Sequence, residues 1–388
     1  MNKVKCLKNM DKLLLFVTIV MSIYGLFNIV TASSREAVTN LDKSIFYYFY
    51  RHLTILVIGI VISFIIIKTN TKKYNKILPL IFFVTVGLNL WLVMKGNSTR
   101  GANNWIDLGV FNLQPSELSK IVVIVCLGFL FDIFYKKLTN SKIKHNEQIF
   151  TILLVGLTLP GIVFMQKDLG TAIVLAGIFF AMYLTSPISR QEKINSLAII
   201  LLIAFIGGLL IYSVKGFLLS DAQKSRFNFI NPCSRYAKTG YQVCNAYIAI
   251  NNGGPFGVGI GKSTQKYSYI PEPHTDMVFA IISEENGLVW CTLIFIGYII
   301  ILYRILKISK KATDIKHQYI CLGVAMFIFM HILINLGGLF GLIPLTGVPL
   351  PFLSYGGSFT LTLLISLSIV QRINIESSSK NIEKYNYN

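Results

Sequence analysis

Ten runs of apolar residues, each about the length that a helix needs to cross the hydrocarbon core of a bilayer, dominate this chain. They fall near residues 13–32, 52–67, 76–94, 117–135, 149–165, 169–185, 196–214, 280–303, 319–339 and 356–371, with charged and turn residues between them. Such runs leave little choice of fold. Backbone N–H and C=O groups in lipid must find partners within their own segment, so each run reads as a helix. The expected class is an all-α polytopic membrane protein, with ten transmembrane helices in one bundle and one large loop, 215–279, between helices 7 and 8. Charged residues are 14% of the chain, against roughly 25% in soluble domains, which excludes an ordinary soluble fold. The first run is too long for a signal-peptide core and lacks a small-residue cleavage site, so it reads as a retained span.

The excess of 36 Lys and Arg over 17 Asp and Glu has a simpler source than nucleic acid. Basic residues beside spans set orientation and contact anionic membrane lipid. With the N-terminus cytoplasmic, the cytoplasmic segments carry 22 Lys and Arg and the short outer segments carry 7. Both termini are therefore expected in the cytoplasm. The expected membrane domain covers residues 1–375, followed by a polar cytoplasmic tail, 376–388. Of six cysteines, Cys126, Cys291 and Cys321 lie in apolar runs and read as small hydrophobes. Cys233 and Cys244 lie eleven apart in the long loop, where an oxidising exterior favours a disulfide; two unpaired thiols are the alternative.

Four segments depart from membrane-helix composition: "RGANNWIDLGVFNLQPSELSK", "QKDLGTA", the long loop, and "GLIPLTGVPLPFLSYGGS". Each follows an odd-numbered span, which puts all four on the outer face. The loop's "GGPFGVGIGKS" ends like a phosphate-binding loop, but Phe256 stands where that motif needs Gly and no buried strand precedes it. Its glycines read as tight turns and close backbone approach, with Lys262 and Lys266 as anion contacts.

Further along, "YIPEPHTDMVFAIISEENG" gathers Glu272, His274, Asp276, Glu284 and Glu285 at the start of span 8. Thr275 or Asp276 suits the N-cap of that span; alternatively, the carboxylates at a membrane boundary suit proton transfer. Chemistry alone leaves both readings open. A zinc site is disfavoured, since one His stands without a second His or Cys at ligand spacing. In "QPSELSK", Ser116 reads as a cap and Glu117 as a partner of the helix dipole, while Lys120 pairs with Glu117 or faces an anionic headgroup. Asp168 reads as the cap of span 6, Trp105 as an interfacial anchor, and His331 as a satisfied interior histidine. Three prolines and three glycines in "PLTGVPLPFLSYGGS" forbid a regular helix. Irregular backbone at membrane depth is tolerated only inside protein or along a cavity, and a cavity is the expectation here.

Taken in order across ten spans, "NWIDLGVFNLQPSELSK", "QKDLGTA", "YQVCNAYIAINNGGPFGVGIGKSTQKYSYIPEPHTD" and "GLIPLTGVPLPFLSYGGS" closely resemble the SEDS family (shape, elongation, division and sporulation; the FtsW/RodA/SpoVE group), with the division type favoured. The resemblance covers nearly the whole chain. It implies a bacterial cytoplasmic-membrane enzyme that polymerises lipid II into peptidoglycan glycan strands beside a class B penicillin-binding protein. It puts the essential aspartate of the family's HTD motif on Asp276. Trp105 and Lys120 match the first motif, Gln166 and Asp168 the second, and Ser354, Tyr355, Gly356 and Gly357 the last. The chain departs from the pattern at Asn104, where many members have Arg and where Arg100 is the nearest substitute, and at Lys167, Asn286 and Thr346.

That chemistry joins a sugar 4-hydroxyl to an anomeric carbon and expels a polyprenyl diphosphate. A carboxylate at Asp276 would take the hydroxyl proton, and Lys120, Arg100, Lys262 or a divalent cation (Mg or Mn) would offset the diphosphate charge. No nucleotide is required. A lipid II flippase and a non-catalytic scaffold for the penicillin-binding protein are the alternatives. Transporters hold substrate near the bilayer midplane, where these spans carry few ionisable groups, and a scaffold has no need of acid at a cavity mouth.

Overall fold

A computed structural model describes residues 9–95, 104–107, 112–138, 145–215, 229–235 and 240–386. Its helices are α1 (Lys12–Arg35), α2 (Tyr47–Lys68), α3 (Tyr74–Lys95), α4 (Pro115–Leu138), α5 (His145–Met165), α6 (Leu169–Thr185), α7 (Arg190–Lys215), α8 (Tyr241–Gly253), α9 (Gln265–Ser268), α10 (Val278–Lys311), α11 (Ile315–Leu339) and α12 (Gly357–Asn386). All but α8 and α9 fall on the ten expected runs. Among the described residues eight helices are long and apolar enough to cross a membrane, and α6 is apolar but only 17 residues long. The sole strands there are β1 (Ile106–Asp107) and β2 (Asn112–Leu113), an antiparallel pair with Ile106 opposite Leu113.

Polar residues mark where the helices begin. Asp11 accepts from the Leu14 N–H at 2.9 Å and Asp168 from the Thr171 N–H at 3.1 Å, each satisfying a donor that the first turn leaves over. Pro115 opens α4, where its missing N–H removes no helical bond. Ser116 is therefore not a cap, and its buried Oγ has no partner among the described residues. At the centre, α4 packs on α3, α5, α6, α11 and α12, and buries Val123, Ile124, Leu127 and Phe131 against the Ile320, Phe327 and Ile328 side of α11. By contrast, α7 exposes Ile199, Leu201, Leu202 and Phe205. An outward apolar face of this kind suits lipid as the solvent.

The start of α1 and the second half of α12 meet at one end of the bundle. The Asp11 N–H donates to Gln371 Oε1 at 2.8 Å, Gln371 Nε2 donates to the Asp11 carbonyl at 3.0 Å, and Asn374 Nδ2 donates to the Asn9 carbonyl at 2.9 Å. Arg304, near the end of α10, grips the Asp11 carboxylate through Nε and a terminal nitrogen. The stretch from 376, expected as a polar cytoplasmic tail, continues α12 to Asn386. Glu376 anchors the continuation, accepting from the Thr71 N–H at 2.9 Å and from Arg372 Nε at 2.7 Å.

In the long loop, Cys233 and Cys244 are joined by a disulfide that ties the turn Pro232–Arg235 to α8. Gly240 sits where a Cβ would lie 1.8 Å from the Pro232 carbonyl oxygen, so the two segments already touch at the backbone. Cross-linking residues this far apart in sequence restricts the opened loop by about 2–3 kcal/mol. Replacing both cysteines with serine is expected to lower the thermal midpoint of the purified protein and to speed proteolysis within the loop.

Candidate active site

At the end opposite the start of α1, the four polar segments are fastened to one another. Asp168 accepts from Asn104 Nδ2 at 2.7 Å and Gln114 Nε2 at 2.9 Å, joining the first segment to the second. The Gln114 N–H donates to Ser358 Oγ at 2.8 Å, joining the first to the last. The Tyr355 N–H donates to the His274 carbonyl at 2.8 Å, and Asn335 Nδ2 donates at 2.8 Å to both the Asp276 and Val348 carbonyls, joining the last to the long loop. Sequence distance of up to some 250 residues is bridged by neutral and carboxylate hydrogen bonds that each stabilise modestly but together fix the geometry.

The proline-rich segment is buried over 350–354 and half-buried to exposed over 341–347, where Leu342 is exposed. Leu350 and Leu353 are fully buried, and side chains of neighbouring helices satisfy its carbonyls. His331 Nδ1 meets the Pro349 carbonyl at 3.0 Å, Tyr298 Oη donates to that of Pro351 at 2.6 Å, and Asn335 serves Val348. These contacts meet the requirement that non-helical backbone at membrane depth be satisfied internally. Gly25 of α1 lets the segment approach, since a Cβ there would lie 2.0 Å from the Phe352 carbonyl oxygen.

Asp276 stands half-buried just before α10. The N-cap of that helix is Met277, and no side chain caps it. Neither Thr275 nor Asp276 therefore fills the structural role that the sequence left open. The Asp276 carboxylate accepts from Thr275, with Oγ1 3.2 Å from Oδ1. Two residues earlier, His274 is buried with Nδ1 3.4 Å from Glu36 Oε2, and its ring lies 4.4 Å from that of Tyr48 and 5.5 Å from that of Tyr355. Tyr48 Oη donates to the other Glu36 oxygen at 3.1 Å. Arg51 donates to Tyr47 Oη at 3.0 Å beside the same cluster. Burial and the neighbouring Tyr47 raise the Tyr355 phenol above its ordinary value despite Arg51, which keeps it a neutral donor.

The other acids of the stretch 269–287 have a different job. A non-helical Gly287, at φ 79° and ψ 179°, kinks α10, and the glycine-rich turn 253–261 wraps that kink. Glu284 accepts from Ser263 Oγ, from Thr264 Oγ1 at 3.0 Å and from the Thr264 and Gln265 N–H groups. Glu285 pairs with Lys266 at 2.7 Å, both side chains being almost wholly buried. Lys266 is thus held inside the loop by the Glu285 carboxylate, whereas Lys262 is exposed. A Cβ on Gly287 would lie 2.3 Å from the Gly257 nitrogen in a backbone region that is essentially glycine-only. Gly287→Ala is expected to cost at least about 1–3 kcal/mol through strain, read as a lower thermal midpoint.

Lys120 is likewise enclosed. Its ammonium, fully buried, donates to Glu117 Oε1 at 2.6 Å and lies 2.9 Å from His331 Nε2, with Phe327 and Phe359 around it. Because an ammonium only donates, His331 accepts at Nε2 and donates from Nδ1 to Pro349. Glu117 and Lys120 therefore brace α4 against α11 and the proline-rich segment. Gln166 is buried and donates to the Asn89 carbonyl at 2.9 Å. Ser354 is buried, accepting from the Leu350 N–H at 2.8 Å in a turn that presents Tyr355 and Gly356, both half-buried. Trp105 is partly exposed beside buried Asn104, and Arg100 lies outside the described residues. Among the described residues no three His, Cys, Asp or Glu side chains converge as ligands.

Glu36, Tyr48 and Arg51 escaped the sequence reading. The aromatic and basic run "FYYFYRH" at 46–52 is the signal that points to them, since such residues at a span's end stand out from lipid-facing composition.

Among the described residues, eight helices of membrane-spanning length and polar motifs bound together at one end define a polytopic helical membrane protein. The chain belongs to the FTSW_RODA_SPOVE family of cell cycle proteins, whose profile it matches over residues 11–379. It is 32% identical over 377 residues to the probable peptidoglycan glycosyltransferase FtsW of Bacillus subtilis, covering 96% of this chain and 92% of that one. It is 31% identical over 368 residues to stage V sporulation protein E of the same organism, covering 94% and 96%. The fold is similar to a chain of a peptidoglycan synthase complex that coordinates polymerization and crosslinking, at TM-score 0.74 and 20% identity over 95% of this chain and 98% of that one. It is also similar to the rod shape determining protein RodA of Thermus thermophilus, at TM-score 0.67 and 20% identity over 95% and 97%.

Proposed function

We propose that this chain is a bacterial peptidoglycan glycosyltransferase that polymerises lipid II at the outer face of the cytoplasmic membrane, with Asp276 as its general base. The observation that supports this most is the position of Asp276: an acid at the helix entrance that is not its cap, among four segments held together at one end. In the reaction, the acceptor 4-hydroxyl oxygen attacks the anomeric carbon of the donor, its proton passes to the Asp276 carboxylate, and the bond to the polyprenyl diphosphate breaks with the electron pair leaving on the diphosphate. General-base assistance of this kind contributes about 10²–10⁴-fold. Inversion at the anomeric carbon follows from a single displacement.

With Lys120 and Lys266 in buried ion pairs, exposed Lys262 and half-buried Arg51 are the cations best placed at this end to meet the diphosphate. Tyr355, Gly356 and Trp105 supply partly exposed surface for the saccharide. The excess of Lys and Arg on the terminal side supports cytoplasmic termini and an outer position for Asp276. The similarity to a chain of a synthase complex that coordinates polymerization and crosslinking supports a crosslinking partner, here a class B penicillin-binding protein.

The test is to incubate the purified protein with lipid II, with and without a partner transpeptidase, in vesicles that carry labelled substrate. Glycan strands are expected. Movement of lipid II between leaflets without polymer would identify a flippase, and neither activity would leave a scaffold.

A further inference from the structure

A cluster of basic side chains lies at the end of the bundle where Asp11 meets Gln371. A cavity of about 250 Å³ opens there between three elements, lined by Lys72 from the turn before α3, Asp132 and Lys136 from α4, Lys316 from the first turn of α11, and Phe129. Lys136 pairs with Asp132 at 2.6 Å. Lys316 holds its ammonium 4.9 Å over the Phe129 ring. Among the described residues no carboxylate forms an ion pair with Lys72 or Lys316, whose ammonium groups line the same concavity. Lysines that only mark the cytoplasmic side of a span point separately into water; here three chain segments aim them at one hollow.

The surroundings indicate what fills it. The cavity sits where the apolar faces of α3 and α4 give way to charge, which is headgroup depth. Ile77 and Leu80 of α3 and Ile133 of α4 are exposed alongside, a surface for acyl chain and not for water. We infer that this cavity binds the phosphodiester headgroup of an anionic phospholipid, with Lys72 and Lys316 as the primary phosphate contacts. Basic pockets between transmembrane helices on the cytoplasmic side are suited to such headgroups. A lipid seated there bridges α3, α4 and α11 and therefore stabilises the folded bundle by mass action. The inference is independent of the polymerase reading, because it concerns the opposite end of the bundle and its test measures no turnover.

The full-length protein, purified in detergent, is titrated with short-chain phosphatidylglycerol, phosphatidylcholine or free glycerol phosphate, and bound lipid and thermal midpoint are followed. Phosphatidylglycerol is expected to bind in about 1:1 ratio and raise the midpoint, with the other two much weaker. Lys72→Gln with Lys316→Gln is expected to weaken phosphatidylglycerol by about an order of magnitude, while arginine at both positions retains it. Lys310→Gln with Lys311→Gln removes the same charge from the same end outside the cavity and should leave binding unchanged. Equal weakening by that pair would overturn the site in favour of diffuse surface charge. Free glycerol phosphate binding as tightly as the lipid would overturn the lipid assignment.

Discussion

Lys120→Ala is expected to be the most damaging substitution to the fold. The lysine is wholly enclosed, and its removal leaves Glu117 buried without its cation and His331 without the donor at Nε2. Breaking a buried pair from one side costs about 3–5 kcal/mol, because a desolvated charge is left without compensation. A second change discriminates this account from one in which Lys120 meets substrate. Adding Glu117→Gln to Lys120→Met removes both charges at nearly constant volume, and is expected to restore much of the thermal midpoint lost in Lys120→Met alone. If the single variant folds as stably as the parent, the bracing role fails.

Much of the architecture was legible because lipid allows few solutions. Runs of apolar residues near span length become helices, and the ten proposed runs correspond to ten helices. The boundaries were harder. α10 extends to Lys311 and α12 to Asn386, where Arg304 and Glu376 find partners on distant segments that no local pattern announces. In the site, the sequence gathered the right segments but could not divide their labour. Glu284, Glu285 and Asp276 look alike in a string of letters, yet two of them clamp a glycine-rich turn to a kinked helix. The third is left without a capping role. Equally, nothing local distinguishes a lysine that faces solvent, such as Lys262, from one enclosed by a glutamate nineteen residues later, as Lys266 is. The irregular segment before α12 draws its carbonyl partners from α10 and α11, tertiary contacts that no local pattern announces.

The other large effect is on turnover. Asp276→Asn keeps the size and hydrogen-bonding capacity of the side chain while removing the basic oxygen pair. Because the side chain does not cap α10 and the fold holds this residue through its backbone carbonyl, via Asn335, stability is expected to change by less than about 1 kcal/mol, as for substitutions away from packing and caps. The chemical step, by contrast, should slow by about 10²–10⁴-fold. Glu272→Gln, four residues upstream, removes a neighbouring carboxylate and serves as the control for general loss of negative charge.

The decisive measurement is the initial rate of glycan chain growth from saturating lipid II by purified parent and Asp276→Asn protein, matched for thermal midpoint and for lipid II binding. A fall of at least a hundredfold in kcat with KM nearly unchanged is the result expected of a lost base. Chain growth by the asparagine variant at the parental rate would contradict it.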